Sequence, residues 1–286
     1  MNISFADFWP GFIPDQNLFV DLFRSINAQI KVVPPSDSTE LLVYSCFGNL
    51  HQQFDRSRVV KVFYTGENMR PDFADCDFSL TFDFDDYNGK NIRLPLWMFH
   101  IDWFNRVSYS CPQFMIPPSE LRKNQFSVLP KTKFCSIVFS NPKPNRVEIL
   151  KKLSKYKKVD IFGSPFLNLA AGEKYKYGII SQYKFNICFE NTLSPGYYTE
   201  KLIHAKLAGC VPLYWSDSNC SLDFNPKAYL NLSDFPSIDE FVEKIIELDC
   251  DPIAYRQICN EYLFEGREPS LENVKAQIKR LLPCFS

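Results

Sequence analysis

Three stretches of the sequence set reactive side chains at the ends of apolar runs. The longest, CFENTLSPGYYTEKLIHAKLAGCVPLYW at residues 188–215, carries Glu190, Asn191, Tyr197, Glu200 and Lys201 between two strand-like runs. A second, KVFYTGEN at 61–68, leads a hydrophobic strand into Glu67. A third, SIVFSNPKPNR at 136–146, passes through a proline-stiffened turn to Arg146 at the start of a helix. In open parallel sheets, ligands bind outside the carboxyl ends of the strands. A strand-end carboxylate such as Glu67 suits a general base acting on an incoming hydroxyl. Arg146 and Lys201, each beside a helix start where backbone N–H groups point outward, suit the charge of a departing diphosphate. Together they fit transfer from an activated phosphate donor.

The elements that must position these groups alternate. Strand patterns cover Leu41–Cys46, Val59–Tyr64, Asp77–Phe84, Phe134–Ser140, Val159–Phe162, Phe185–Phe189 and Val211–Trp215. Helical patterns cover Asn17–Ala28, Asn145–Tyr156, Thr199–Leu207, Ile238–Leu248 and a terminal Leu271–Leu282. Such alternation predicts parallel α/β layers. The proline-rich segment from Cys111 to Lys133 reads as a connection, which divides the chain into domains at 1–125 and 126–286, the second carrying the terminal helix.

Composition narrows the function classes. At 286 residues and 45% hydrophobic the chain can bury full-sized cores, and a net charge of -1 offers no field for nucleic acid or anionic lipid. No apolar run approaches the roughly 18 residues of a membrane span, and the opening MNISFADFWPGF lacks the basic and apolar regions of a signal peptide. The ten cysteines include no C-x-x-C pair and no zinc spacing. They are read as reduced thiols of a cytoplasmic protein, and the sequon at Asn231 then carries no meaning. His51, His100 and His204 are read as isolated, with His204 on a helix flank. Tyr198, Tyr214 and Trp215 are core aromatics. Trp9 and Phe12 suit either burial or an acceptor cleft. The Asp83-Phe84-Asp85-Asp86 run is read as a solvated turn rather than a cation site.

FNICFENTLSPGYYTEKLIHAKLAGCVPLYW resembles the donor-binding signature of the α-1,3/4-fucosyltransferases, glycosyltransferase family 10. VFYTGEN (62–68), RLPLW (93–97), SIVFSNP with Arg146 following, SQYKFN (181–186) and DFNPKAYLNLSDF (223–235) resemble segments of bacterial members in the same order, so that the likeness runs from about Ser4 to Phe241. The resemblance implies two Rossmann-like domains facing a cleft, the B-type glycosyltransferase fold. The first domain would take the acceptor and the second GDP-fucose. It implies inversion at the anomeric carbon with Glu67 as base, the phosphates held by Arg146 and Lys201, and nucleotide, ribose or fucose contacts from Asn191, Tyr197 and Glu200. Glu190 is read either as a further donor contact or as a partly buried carboxylate paired with Lys201 for structure. Lys201 is expected as an exposed lysine on the first turn of its helix. No metal or other cofactor is expected. The acceptor would be an oligosaccharide such as N-acetyllactosamine, fucosylated in α-1,3 or α-1,4 linkage on an N-acetylglucosamine or glucose residue. The tail shows no heptads and no basic amphipathic end, leaving peripheral contact with the inner membrane open. Another nucleotide-sugar transferase of the same fold, or a non-catalytic nucleotide- or glycan-binding relative, are the competing readings.

Overall fold

The computed structural model describes residues 1–106, 115–122, 130–139, 142–163, 178–266 and 269–281. The chain forms two compact α/β units, Met1–Phe99 with Ser270–Ser286, and His100–Pro269.

The first unit is built on a six-stranded sheet of β1 (Asn2–Ala6), β2 (Lys31–Val32), β3 (Leu41–Tyr44), β4 (Val60–Tyr64), β5 (Phe78–Thr81) and β6 (Asn91–Arg93), ordered β2-β1-β3-β4-β5-β6. Every pairing is parallel. The central strand β3, Leu-Leu-Val-Tyr, is buried at all four positions, as a strand covered on both faces must be. The helix α1 (Leu18–Arg24) starts at Asn17, whose side chain accepts the N–H of Val20 at 3.1 Å.

The second unit has a five-stranded parallel sheet of β7 (Lys133–Val138), β8 (Val159–Phe162), β9 (Tyr183–Ile187), β10 (Val211–Tyr214) and β11 (Leu230–Asn231), ordered β11-β10-β9-β7-β8. Among its described residues stand helices α2 (Pro144–Leu153), α3 (Lys201–Leu207), α4 (Ile238–Cys250) and α5 (Pro252–Asn260). Each of the last two begins with a side-chain cap: Ser237 accepts from Glu240 N–H, and Asp251 from the N–H groups of Ile253 and Ala254. The core runs through Cys135, Ile137, Phe185, Ile187, Val211 and Leu213 of the sheet to Phe241, Ile245 and Leu248 of α4.

Two features depart from the sequence expectation. The terminal helix α6 (Glu272–Leu281) packs on β6 and belongs to the first unit, not the second. An amphipathic helix needs only an apolar surface to cover, and nothing local to its sequence says which half supplies it. The expected division near residue 125 lies outside the described residues, whereas the units part at residue 99. Strands β1, β2, β6 and β11 and helix α5 had no counterpart in the sequence reading. Among the others, β8 has the expected bounds, and the rest differ by up to four residues at an end.

Candidate functional site

In both sheets the strand order reverses once, and the crevice at the carboxyl ends there is the expected ligand position. In the second unit this lies between β7 and β9. Arg146, in the first turn of α2 after β7, is buried, with a relative exposure of 4%. Its Nη2 donates to the carbonyl of Phe189 and, at 2.9 Å, to Oδ1 of Asn191, both just past β9. The guanidinium therefore bridges the two strands that flank the reversal. Burial pulls its pKa down, with Glu190 opposing, and an arginine stays charged regardless.

Glu190 has no exposed surface. Its oxygens accept the Thr199 N–H at 2.8 Å, the Thr199 hydroxyl at 2.9 and 3.0 Å, the Tyr214 hydroxyl at 2.6 Å and the Lys201 ammonium at 2.8 Å. Both oxygens are thus taken up by the protein: of the two roles the sequence leaves open for Glu190, the structure shows the pairing with Lys201 and leaves neither oxygen free for the donor. The carboxylate instead ties the ends of β9 and β10 to the head of α3 and sets the loop between them. Within that loop Gly196 has a φ of 82°, which only glycine adopts without strain, and its carbonyl accepts the Tyr198 N–H at 2.9 Å.

Lys201 is the first residue of α3, with its side chain 21% exposed rather than freely solvated. Burial lowers its pKa, but Glu190 and then Glu200 outweigh this, so the ammonium titrates above its ordinary value. Two of its three N–H groups go to Glu190 and, at 2.8 Å, to the Thr199 hydroxyl. An ammonium keeps one further donor for a ligand oxygen. Tyr197 is buried and acts electrostatically on both Arg146 and Lys201. Glu200, 16% exposed at its side chain, has the His100 Nε2 at 3.9 Å, and the His100 ring meets that of buried His204 edge-on at 5.3 Å.

Arg146, Glu190, Asn191, Tyr197, Glu200 and Lys201 are therefore brought together in the second unit, whereas Glu67 stands in the first. Glu67 follows β4 and is exposed. Its N–H donates to the Thr65 hydroxyl at 2.9 Å, and its own carbonyl accepts from Met69 N–H at 2.7 Å, fixing the turn that presents the carboxylate.

The histidines are not isolated. His51 Nδ1 lies 2.7 Å from Asp7 Oδ2, its ring stacks on Tyr44 at 4.1 Å, and its Nε2 is 3.8 Å from Asp75. His204 is buried rather than flanking its helix. The acidic run is not wholly solvated either: buried Asp83 pairs with Arg70 Nε at 2.9 Å and accepts the Tyr87 hydroxyl at 2.9 Å. Tyr198 and Tyr214 are core residues as expected. The eight described cysteines are free thiols. Among the described residues no helix is long and apolar enough to cross a membrane.

The profile of the alpha-(1,3)-fucosyltransferase FucT N-terminal domain matches residues 3–100, and that of the glycosyltransferase family 10 (fucosyltransferase) C-terminal part matches residues 128–262. The chain belongs to glycosyltransferase family 10. It is 30% identical to an alpha-(1,3)-fucosyltransferase FucT of Helicobacter pylori, over 88% of this chain and 57% of that one. A 3-galactosyl-N-acetylglucosaminide 4-alpha-L-fucosyltransferase of Bos taurus is 33% identical over 48% of this chain and 39% of its own. The chain thus spans little more than half of the first of these curated relatives and less of the second. A crystal structure of an alpha1,3-fucosyltransferase with GDP-fucose superposes with a TM-score of 0.74 at 26% identity, covering 99% of this chain and 90% of that one. The two parallel sheets of this family 10 chain are accordingly those of a B-type glycosyltransferase.

Sequence reasoning missed the partners that hold the family 10 loop in place. Thr199 and Tyr214 were in view within the same stretch, but only the fold shows that both converge on Glu190. Asp7 had a local signal, an acid directly after Ala6, the last residue of β1.

Proposed function

We propose that this family 10 chain transfers L-fucose from GDP-fucose to a hydroxyl of an N-acetylglucosamine or glucose residue in a glycan acceptor, in α-1,3 or α-1,4 linkage. The observation that carries the reading is the joining of Arg146, Asn191, Lys201 and the filled Glu190 at the strand reversal of the second unit. That arrangement offers two cations and a rigid loop to a diphosphate, and it coincides with the stretch that resembles the family's donor signature. In the proposed step the acceptor oxygen attacks the anomeric carbon of fucose from the side opposite the diphosphate. The new C–O bond forms as the bond to the β-phosphate oxygen breaks, GDP leaves with the electron pair, and Glu67 takes the hydroxyl proton. Arg146 and Lys201 hold the charge that develops on GDP. Asn191, Tyr197 and Glu200 orient nucleotide, ribose or fucose. The reaction needs no metal in this reading. Cytoplasmic placement goes with it, since a reducing compartment keeps thiols such as Cys135 and Cys188 free.

A donor panel tests the proposal. Purified protein is offered GDP-fucose, GDP-mannose, UDP-glucose and UDP-galactose with N-acetyllactosamine, and the products are analysed by mass and by NMR for linkage. Transfer from GDP-fucose with inversion is expected. Transfer from another donor while GDP-fucose stays inert overturns the reading, as does hydrolysis without a glycosidic product.

A further inference from the structure

Four large hydrophobic side chains of the first unit are exposed among the described residues: Phe47, Leu50, Met69 and Phe84, at 48%, 39%, 48% and 40%. All four lie in the segments that follow the carboxyl ends of β3, β4 or β5, Leu50 at the start of a short 3-10 helix. Single exposed apolar residues are ordinary and scatter over a surface, but a set confined to one edge of a sheet is not scatter. That edge includes the strand reversal of the first sheet, between β1 and β3.

The loops there are braced. Asp7, just past β1, has a φ of 57°, uncommon outside glycine. Its carboxylate accepts the N–H groups of Leu50 and His51, each at 2.9 Å, besides meeting His51 Nδ1, and its carbonyl accepts the Phe47 N–H at 2.9 Å. Gly48 fits against this carboxylate because a Cβ there would lie 2.4 Å from Asp7 Oδ1. The backbone of 47–51 is thus clamped to the end of β1 while Phe47 points to solvent, meeting the Trp9 ring edge-on at 6.4 Å. The same loop adjoins the turn that presents Glu67: Cys46 Sγ is 3.6 Å from the Thr65 hydroxyl, which accepts the Glu67 N–H. Backbone strain and a cross-strand clamp that hold an aromatic side chain out in water add nothing to the core; such features mark a ligand contact.

We propose that Trp9 and Phe47, held by the Asp7–His51 brace, form a platform on which the apolar face of an acceptor sugar ring packs beside the Glu67 carboxylate. A pyranose presents C–H groups on one face and hydroxyls around its rim, matching aromatic faces next to an exposed acid. Four side chains are far too little surface for a stable protein partner, which needs on the order of 1,000 Å². The inference rests on the glycosyl-transfer reading, and its test includes a readout that does not.

With GDP-fucose and N-acetyllactosamine as substrates, Phe47→Ala is expected to raise the acceptor KM by about three- to tenfold, the range for loss of one aromatic contact. The donor KM and GDP affinity stay as in the wild type, and Phe47→Tyr restores the acceptor KM. Asp7→Asn, checked for folding by thermal melting, shifts the acceptor KM in the same direction. Saturation-transfer NMR of N-acetyllactosamine with GDP present reports binding directly, and its signal is expected to fall in Phe47→Ala. Should the wild type bind the disaccharide through Phe47 yet transfer no fucose, the functional reading fails and the platform stands. Unchanged acceptor KM and NMR signal in Phe47→Ala overturn the platform. So does a loss confined to co-sedimentation with phosphatidylglycerol vesicles, which would make the edge a membrane contact.

Discussion

Glu67 and Lys201 differ in what surrounds them, and their variants are expected to fail differently. The Glu67 carboxylate is exposed on a turn held by backbone bonds, so Glu67→Gln leaves the turn intact. Turnover is expected to drop by about 10²- to 10⁴-fold, the contribution of a general base, with GDP affinity retained in calorimetric titration. A loss of only a few-fold would remove Glu67 from that role. Lys201 neutralises a carboxylate with no exposure at all. Removing one partner of a buried pair costs about 3–5 kcal/mol because the other charge is stranded, and Lys201→Ala should fall near the lower figure since its edge reaches solvent. Both thermal stability and GDP affinity are therefore expected to fall together in Lys201→Ala. Unchanged GDP affinity, measured well below the melting temperature, would leave Lys201 with a structural role alone. The sequence displayed Glu190 and Lys201 as a local cluster of opposite charges, which is why they could be picked out by eye. Arg146 and Asn191 stand 45 positions apart, and Asp7 and His51 44. Their pairing depends on strand order, which no local pattern encodes.

Among the elements, α3 joins the loop that Glu190 sets to the body of the second unit, and Lys206 near its end fastens it. The Lys206 ammonium donates to the carbonyls of Ile258 and Cys259 at 2.7 and 3.2 Å, in the last turn of α5. Burial depresses its pKa to about 8, against weaker opposing effects of Cys259 and Glu261. In the unfolded chain a lysine titrates near 10.4. Between these values the unfolded state binds more protons, so this group's contribution to stability rises with pH across the window, and below about 8 the cost of burying the charge is fully present. Relative to Lys206→Met, the wild type is expected to gain in melting temperature between about pH 8 and about pH 10. A gap that stays constant over that range would contradict the assignment. α5 itself was not recognised from sequence: it spans only Pro252–Asn260 and follows α4 after the single residue Asp251, with Pro252 in its first turn. β1 escaped notice because its polar Asn2 and Ser4 look like loop, although Ser4 is buried and its hydroxyl donates to the Val33 carbonyl at 3.0 Å. The central strands, continuous in apolar residues, were plain.

For the whole molecule, the parallel α/β character was legible from alternation, whereas the boundary, read from the proline-rich segment Cys111–Lys133, was not. A chain whose last helix returns to its first unit leaves no compositional seam. In the proposed reaction the same scale decides how charge on the leaving group is met. Three acidic residues at 83, 85 and 86 invite a divalent cation, yet Asp83 is buried and its Oδ2 already takes both the Arg70 guanidinium and the Tyr87 hydroxyl, so its charge is paired within the fold. Arg146 and Lys201, by contrast, are held at the strand reversal by the fold itself. Turnover with GDP-fucose is therefore expected to persist in EDTA and to gain nothing from added manganese. Arg146→Ala is expected to cost about 10²- to 10³-fold, the effect of removing one fixed donor from a developing anion, and manganese is not expected to rescue it. If chelation ends turnover and manganese restores it, the cations do not suffice, and Asp83→Asn is then the variant that shows whether the acidic turn holds the ion.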